Sequence, residues 1–555
     1  MSFPFRKTLL ATALAVASSG AVAGALLNDG LDGAWGVPGD PGASNRGAMF
    51  DVLAREDGSA DVFGSLYTYD ANGAPLWLNF AANFLPGESA KDGIEVYRYH
   101  GGSFGYPAMP ATEEVIGTAS ISLNGPDSIS LSLTMTGLPN VVLDMAPAHR
   151  LFPGYIASAS TAAASLSACP AGTTAQGNDC LLPNSIASDL ILPAGKTYLI
   201  RGEVSVNAGG TLTIEPGVTV KGHADTSTLN YLVVRKGGRI YAEGTATRPI
   251  VFTGPEPVIG SWGGVSIAGN STCNRDPADC KFEANPEITY GGNDLHDNSG
   301  ILRYVRIEYA GIAISQDSEF NSLTLLGVGD GTIIDHVQVD SGKDDGFEWF
   351  GGSVNGTHLV CSNMGDDCFD MDQGFSGKLQ FLLGWQGDNT DIGSDSNGIE
   401  SDNWKEAPDT LPRTQPQISN ITLVGAEGGR DGIRIRRGSG GNYANLVVTG
   451  YQSYSIGLDD DATFALPTQT LSFAHSFFGA SGSGIARSNT ESWFTALGVE
   501  TGDPKLDGFL PQSDSPILNG GKSLSNPFFR PTTYRGAFAG KHDDWTAGWT
   551  VRLPR

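Results

Sequence analysis

A short acidic phrase recurs in the second half of the chain, and it constrains the fold more than any other feature. The phrase DDGFE at 344–348 returns as DDCFD at 366–370, and more loosely as SNGIE at 396–400 and RDGIR at 430–434. A period of roughly 20 to 30 residues is typical of a solenoid, in which each unit buries its apolar face only by stacking on the next. We therefore expect the function to lie on the stack.

The apolar residue of each phrase sets the register of this repeat. Successive steps of 22, 30, 34, 23 and 29 residues join Phe347, Phe369, Ile399, Ile433, Ile456 and Ile485. A solenoid with this repeat places equivalent residues one above another. The six side chains are therefore predicted to form one internal column.

The first 23 residues have the pattern of a secretory signal. Arg6 and Lys7 precede an apolar run at 9–17, and Ala21-Val22-Ala23 provides a small-residue cleavage site. The apolar run is too short to cross a bilayer, and no later stretch reaches about 18 apolar residues. The sequence predicts an exported protein, periplasmic, cell-surface or extracellular, with a signal peptide at 1–23 and no transmembrane segment.

Six cysteines form three local pairs, which favours disulfides over a zinc site. The pairs are Cys169/Cys180, Cys273/Cys280 and Cys361/Cys368. No C-x-x-C motif occurs, and an oxidising compartment permits such loop-closing bonds.

Composition and charge narrow the functional classes. Gly accounts for 75 of 555 residues and charged residues for 17%, which is typical of a turn-rich all-β protein. The formal net charge of -26 argues against a nucleic-acid partner, because phosphates require a basic surface. It favours cation binding or a neutral or cation-bridged partner. We expect a monomer.

The first part of the chain, 24–156, is predicted to be a small antiparallel β domain. Apolar residues alternate with Ser and Thr on both sides of Asn124-Gly125-Pro126-Asp127, which indicates a hairpin with one buried face. A second hairpin is predicted at 63–80, with Asn72-Gly73 at its turn. The segment 157–168 is small and uncharged, which is typical of a linker.

The sequence pattern changes after Cys169. Short β-branched strands are separated by Gly or Pro turns, as in Gly210-Thr211-Leu212-Thr213-Ile214-Glu215-Pro216-Gly217. Strands this short fit a parallel β-helix, in which each strand pairs with its equivalent one coil later. The predicted fold is all-β: a right-handed parallel β-helix over 169–555, with a C-terminal cap, preceded by the antiparallel domain.

Two resemblances to known families support this division. The motif Tyr67-Thr68-Tyr69-Asp70 with Gly73, Pro75 and Trp77 resembles a β-meander domain of secreted bacterial proteins with a YTYDxxGxPxW hairpin. From about Thr197 to Trp549 the chain resembles a family of secreted right-handed β-helix proteins of unassigned activity. The matching phrases include PIVFTG, SGILRYVRIEYAG, LTLLGVGDGT, DDGFEWFGG, DDCFDMDQGFSG, NGIESDN and TTYRGAF. This resemblance implies the fold and leaves the activity open.

The acidic repeat predicts a cation site. If Phe347 and Phe369 point inward, alternation sends Glu348, Asp370 and then Glu400 outward in one row. Asp344 and Asp345 are expected above Asp366 and Asp367. Coils stack about 4.8 Å apart, and two unit charges at that distance repel by about 3 to 4 kcal/mol at an effective dielectric near 20. A bound cation, a raised pKa or the nearby Arg434 and Arg436 would relieve this repulsion.

Hard oxygen ligands of this kind suit calcium, so Asp344, Asp345, Asp366, Asp367 and Glu400 are the predicted metal ligands. The alternative is that the acids are turn residues that accept hydrogen bonds from local amides and are otherwise solvated.

Three functional classes follow from this surface. In the first, a surface or secreted protein binds an extended polysaccharide or glycan in an acidic, calcium-loaded groove, where Trp349, Trp385, Trp404 and Arg436 contact the sugar. In the second, the protein cleaves the polysaccharide, with Glu348 and Asp370 as the carboxyl pair of a hydrolase. A lyase would instead use the acidic stack and its cation beside Arg434 or Lys378. In the third, the protein is purely structural, or an adhesin.

Overall fold

The computed structural model describes most of the chain beyond the predicted signal. It covers residues 33–37, 47–150 and 168–554, with interior gaps at 55–58, 70–74, 86–87, 89, 101–111, 126–127, 138–139, 226, 316–317, 388–391, 394, 427 and 491–498. The predicted signal peptide and nearly all of the predicted linker lie outside the described residues. The described elements are almost all β-strands, which confirms the all-β prediction.

An eight-stranded antiparallel barrel comes first. Each strand pairs with the next in sequence, and the first strand also pairs with the last. The strands are Gly33–Gly36, Gly47–Ala54, Ala60–Tyr69, Pro75–Phe84, Ala90–His100, Thr112–Gly125, Ser128–Met135 and Val141–Arg150. Both predicted hairpins are present, since Tyr67 pairs with Trp77 and Ile121 with Leu131. The inward-facing members of each alternating strand fill the barrel core.

The second part of the chain is a parallel β-helix with three faces, here named A, B and C, and each strand pairs in parallel with its equivalent one coil later. Face A begins with Leu190–Leu192, Thr211–Ile214 and Arg239–Glu243, and face B with Asp179–Leu181, Thr197–Ile200, Thr219–Gly222 and Ile250–Thr253. Six longer strands then span both faces: Gly300–Glu308, Ile333–Asp340, Asn355–Ser362, Lys378–Trp385, Gln417–Val424 and Gly441–Thr449. Face A ends with Leu471–Ala474, and face B ends with Phe477–Phe478 and Glu500–Thr501.

Face C is an eleven-stranded sheet that carries the acidic repeat. Its strands are Ser185–Ile186, Glu203–Val206, Tyr231–Val234, Val265–Ala268, Leu323–Leu326, Phe347–Phe350, Phe369–Asp372, Ile399–Ser401, Ile433–Ile435, Tyr454–Leu458 and Gly484–Ala486. The minor elements are the strand Thr174–Gln176, the hairpins Ile312–Ser315/Ser318–Phe320 and Leu506–Asp507/Leu510–Pro511, the helix Asp461–Phe464 and the 3₁₀ helix Pro516–Leu518.

Faces A and B meet at a sharp bend that is built the same way in successive coils. One residue between the two faces has a positive φ in each coil: Tyr304, His336, His358, Phe381, Asn420, Asn445 and His475. A left-handed residue turns the chain without breaking the pairing on either side. The bend therefore stacks these seven side chains in one outer column.

The predicted internal column on face C is confirmed for its first five members. Phe347 pairs with Phe369, Phe369 with Ile399, and Ile399 with Ile433. Ile456 lies beside Ile433 because the next residues, Arg434 and Gly457, pair, and all five side chains are fully buried. The prediction for Ile485 is wrong by one residue, because Ile456 pairs with Ala486. The step at that coil is therefore 30 residues rather than 29. Ile485 is only partly buried and packs at the margin of the core.

The three predicted disulfides are present. Cys169–Cys180, Cys273–Cys280 and Cys361–Cys368 are each closed within a local segment, and no free cysteine is found in the described chain. The loop closed by Cys273–Cys280 packs with the hairpin at 312–320 on the outer side of face C. These two segments rise beside the acidic repeat.

A search of the described helices finds none that is long and apolar enough to cross a membrane.

We predict that Phe369→Ala destabilises the β-helix by about 3 to 5 kcal/mol, because the ring is fully buried and stacks on Phe347 at 5.5 Å. Urea unfolding followed by circular dichroism measures this loss. Val258→Ala is the control, since Val258 is 59% exposed and its truncation should leave the free energy of unfolding nearly unchanged. A loss below about 1 kcal/mol for Phe369→Ala would contradict the buried-column assignment.

Candidate functional site

Strand alternation builds the predicted acidic row on face C. Phe347 and Phe369 point inward, and the residue after each points outward. Cross-coil pairing places Glu348 beside Asp370, Asp370 beside Glu400, and Glu400 beside Arg434. The row thus runs from acidic to basic along the axis of the helix.

A second acidic row occupies the turn that precedes face C. Two of its members, Asp345 and Asp367, accept hydrogen bonds that join successive coils. Asp345 Oδ1 accepts a hydrogen bond from the backbone N–H of Asp367 at 2.9 Å. Asp367 Oδ1 accepts from the backbone N–H and, at 2.9 Å, from the side-chain amide of Asn397. The series continues through Asp431 to the N–H of Tyr454. The alternative interpretation as turn residues is therefore correct for one oxygen of Asp345 and of Asp367.

The two rows converge into three overlapping carboxylate triads. Within each triad, one ligand oxygen per residue lies within 4.8 Å of the others. The triads are Asp344/Asp345/Asp366, Asp345/Glu348/Asp370 and Asp367/Asp370/Glu400. All five predicted metal ligands and the predicted carboxyl pair thus lie in one continuous cluster.

The cluster lies in an open groove of about 400 Å³. The groove is lined by Glu283, Glu319, Asn321, Asp344, Asp345, Glu348, Asp366, Asp367, Asp370, Asp395, Glu400, Arg436 and Arg437. Ten of these thirteen residues are acidic and two are arginines. Glu319 comes from the hairpin at 312–320 and Glu283 from the disulfide loop segment, so both insertions wall the groove.

One end of the groove is electrostatically compensated. Arg434 contacts Asp459 at 2.6 Å, Glu400 at 2.9 Å and Asp395 at 3.0 Å. Arg436 pairs with Glu400, and with Asp402 at 2.7 Å, while Arg437 reaches Asp402 at 2.6 Å. Glu400 therefore shares its charge with two guanidinium groups.

The other end lacks such partners. In the described part of the chain, no ion pair forms with the acids that share this end: Asp344, Asp345, Glu348, Asp366 and Asp370. Asn321 donates a side-chain hydrogen bond to Glu348. Asp344 Oδ2 and Asp370 Oδ1 are buried and have no hydrogen-bond partner among the described atoms. Such orphaned carboxylate oxygens are costly unless a proton or a cation satisfies them.

Burial and mutual repulsion raise the pKa of these acids. The pKa of Asp344 rises to about 8, first through burial and then through the charge of Asp366. Burial and the charge of Asp372 raise the pKa of Asp370 to about 7. The pKa values of Asp345 and Glu348 lie well above the usual range, again with burial as the main cause. Without a cation, this end therefore retains protons at neutral pH.

The predicted aromatic contacts are not formed in the groove. Trp349 is 1% exposed and packs inside the helix between Phe347 and Phe375, so its prediction as a sugar-binding residue is wrong. Alternation explains this, because Trp349 lies two residues after the inward-pointing Phe347. Trp385 lies on face B against Phe509. Trp404 lies beyond the groove lining, with the Arg275 guanidinium 4.5 Å over its ring.

Sequence reasoning missed several lining residues. Glu283, Glu319 and Asp395 lie outside the aligned phrases, in segments inserted between strands of face C. Sequence reasoning had one indication for Arg437, because this residue adjoins the predicted Arg436 just after the fourth phrase.

The donor set fits a hard divalent cation. Every potential ligand at the uncompensated end is an oxygen, and the triads supply several carboxylates within one coil spacing. Calcium accepts six to eight oxygen ligands in flexible geometry, and the orphaned oxygens of Asp344 and Asp370 are of the required kind. Asp344, Asp345, Glu348, Asp366 and Asp370 would hold the ion, together with Asp367, which shares a triad with Asp370.

We predict that in chelator the melting temperature falls as the pH rises from about 5 to about 8. The raised pKa values mean that the folded state holds more protons than the unfolded state between about pH 4 and pH 8, so stability decreases through that window. Asp344→Asn with Asp370→Asn should flatten this dependence, whereas Asp409→Asn, at a 94% exposed side chain, should not. Scanning calorimetry at three pH values measures it, and a wild-type melting temperature that rises steadily toward pH 8 would contradict the charge assignment.

Comparison with known proteins identifies the family. A family model described as a pectate-lyase-like beta helix domain matches residues 184–550. Neither the search of curated proteins nor the search of solved structures returned a match. The matched segment contains most of the β-helix and the whole acidic groove, and it covers about two thirds of the 555 residues. The chain therefore belongs to the family of pectate-lyase-like β-helix domains.

Proposed function

We propose that this protein is exported and binds an extended polysaccharide or surface glycan in the face C groove, with calcium at the acidic end. The observation that carries the proposal is the uncompensated carboxylate cluster, in which buried oxygens of Asp344 and Asp370 have no hydrogen-bond partner among the described residues. The family description names a class of lyases that act on a polysaccharide, which supports a polysaccharide-related role.

The groove is open and almost entirely polar, which suits an extended hydrophilic ligand. Two segments wall it, so a chain lying along face C would meet the acidic end and then the arginines. A bound calcium ion would neutralise the carboxylates and offer free coordination positions to sugar oxygens. Arg436 and Arg437 line the other end and can donate hydrogen bonds to hydroxyl or carboxylate groups. The cation and the arginines would together position the ligand.

A second candidate function is cleavage of the polysaccharide. The pKa of Asp370, raised by burial and by Asp372 to about 7, leaves a proton available beside Glu348 at neutral pH. Their ligand oxygens lie within 4.8 Å, which is shorter than the roughly 6.5 to 9.5 Å of an inverting pair and closer to a retaining pair. The structure does not favour Arg434 as the base of a lyase. Burial opposes its charge, but the hydrogen bond and charge of Asp459 raise its pKa, so it stays protonated.

We predict that calcium stabilises the wild-type protein and that Asp367→Asn weakens this effect. Binding to the folded state alone adds about 2.7 kcal/mol at a calcium concentration about 100-fold above Kd. Asn is tolerated at this position, because Asn397 occupies the equivalent position one coil later. The matched control is Asp431→Asn, which lies one further coil along and pairs with Arg487 outside the triads.

Scanning calorimetry in chelator and in millimolar calcium measures the melting temperatures of the wild type and of both variants. The control variant should lose baseline stability but keep the wild-type calcium increment. A wild-type protein whose melting curve is identical in chelator and calcium would refute the calcium site, and would leave the acids as a structural feature of the fold.

We predict that glycan binding requires both calcium and the outward carboxyl pair. A glycan array probed in calcium and in chelator should show calcium-dependent signals that Glu348→Gln with Asp370→Asn removes. Assay of the same polysaccharides for new reducing ends and for unsaturated products separates binding from cleavage. If the array gives no signal for any polysaccharide in calcium, the structural or adhesin role replaces the proposal.

A further inference from the structure

The C-terminal segment, residues 506–554, returns along the outside of the bend between faces A and B, and we call it the strap. Lys522 contacts Asn445, Arg530 contacts Gln380, and Val551 contacts Gln338. These contacts follow the coils in reverse order. The strap therefore runs back over at least four coils toward the N-terminal end of the helix.

Buried amide side chains hold the strap by its backbone. Gln338 accepts from the N–H of Val551 at 2.9 Å and donates to its carbonyl at 2.8 Å. Gln380 makes the same pair of bonds with Arg530, at 2.8 and 2.9 Å, and Asn445 with Lys522, at 2.9 and 3.1 Å. Each side-chain amide thus forms the pair of hydrogen bonds with the strap backbone that a neighbouring β-strand would otherwise form. Hydrogen bonds of this kind do not depend on the side chains of the strap, so sequence-specific contacts must come from elsewhere.

Two tryptophans, which lie on a pair of stacked imidazoles, supply part of these contacts. His336 and His358 occupy adjacent positions in the bend column, with ring centroids 4.2 Å apart and planes 17° apart. Trp545 meets His358 edge-on at 5.1 Å, and Trp549 meets His336 at 5.7 Å. Tyr304 and Phe381 continue the stack on either side. The terminal half of the strap thus rests on this aromatic column.

A single carboxylate serves both imidazoles. Asp335 Oδ1 lies 2.8 Å from His336 Nδ1 and 3.1 Å from His358 Nδ1, and it also accepts from Thr357 at 2.7 Å. The two rings are nearly parallel and face each other, and both Nδ1 atoms converge on this one oxygen. The two imidazoles therefore share a single counter-charge.

The charges around the pair disfavour a second proton. Asp335 is the only acid in contact with the imidazoles in the described chain, and Arg303 Nε lies 3.6 Å from its other oxygen. Glu243 lies 3.5 Å from Arg303. From the strap, the charge of Arg530 opposes protonation of His358. Two imidazolium groups 4.2 Å apart would therefore repel each other beside one shared carboxylate.

We propose that the His336–His358 pair is an acid-sensitive latch, which holds the terminal half of the strap near neutral pH and releases it on acidification to about pH 5. Burial lowers the pKa of His358, and the hydrogen bond to Asp335 only partly opposes this. The released state therefore binds more protons than the docked state, so docking weakens as the pH falls below the ordinary histidine range near 6.5. Arg552 of the strap also pairs with the carboxylates of Asp340 and Glu308, and we infer that the change acts through the imidazoles.

Hydrogen exchange of the full chain, followed by mass spectrometry, tests the latch. After correction for intrinsic rates, peptides covering 545–552 should lose at least about tenfold in protection between pH 7.5 and pH 5.0. His336→Phe with His358→Phe should remain protected at both pH values. Phe is compatible with the positive φ, because Phe381 occupies the same column at φ 60°.

His475→Phe is the matched control, since His475 belongs to the same column but makes no contact with Trp545 or Trp549. It should release the strap as the wild type does. Equal wild-type protection at both pH values, or an equal loss in the double variant, would overturn the latch. If the double variant is already unprotected at pH 7.5, the single variant His358→Phe provides the test, because it removes the repulsion between the two imidazoles and keeps His336 beside Asp335. A loss of protection at pH 5.0 equal to that of the wild type would again overturn the latch.

Discussion

Parallel pairing of coils about 4.8 Å apart is the constraint on which the rest of this β-helix depends. This pairing places equivalent residues in columns, so that side chains of the same kind lie next to each other, one coil spacing apart. For Phe347, Phe369, Ile399 and Ile433 the repetition is favourable, since each stacks on an apolar neighbour and excludes water. For Glu348, Asp370 and Glu400 the same geometry forces carboxylates together. The stability of the fold and the chemistry of the groove have one origin.

The fold accommodates its polar columns in three ways. Asp345, Asp367 and Asn397 accept backbone N–H groups of the next coil, which turns a column of acceptors into a ladder of hydrogen bonds. Glu400 and Asp402 are paired with Arg434, Arg436 and Arg437. The bend column uses stacking, with one carboxylate shared by two imidazoles. Each solution uses residues separated in sequence by one or two coils, so none is visible in a short motif.

The sequence predicted those parts of the fold that depend on period alone. The 22-residue step from Phe347 to Phe369, together with strand alternation, was enough to place Glu348 and Asp370 side by side. The same alternation places Trp349 inside, so that error arose from neglecting the pattern in favour of residue type. The prediction for Ile485 was wrong because the last coils are irregular, and the register shifts by one residue, so that Ile456 pairs with Ala486.

Other parts of the site were not predictable from the repeat. Glu283 and Glu319 reach the groove because their insertions fold back over face C, and that path depends on packing around Phe282 and Phe320. The strap has no repeat of its own. Its position depends on Gln338, Gln380 and Asn445, which lie about 77 to 213 residues away in sequence.

The distribution of arginines along face C argues that the acidic end is a site for a ligand from solution. The chain neutralises its own carboxylates on this face two coils later, where Arg430, Arg434 and Arg487 pair with Asp395, Asp459 and Asp431. The stacking register of the coils therefore allows an arginine of the chain itself to neutralise a carboxylate on this face. At Glu348 and Asp370 the positions one coil away carry a hydroxyl or further acidic side chains instead. Burial and the neighbouring acids therefore raise the pKa values of Asp344 and Asp370, and protons neutralise this end at low pH. In the proposed function, a cation would take the place of these protons as the pH rises toward 8.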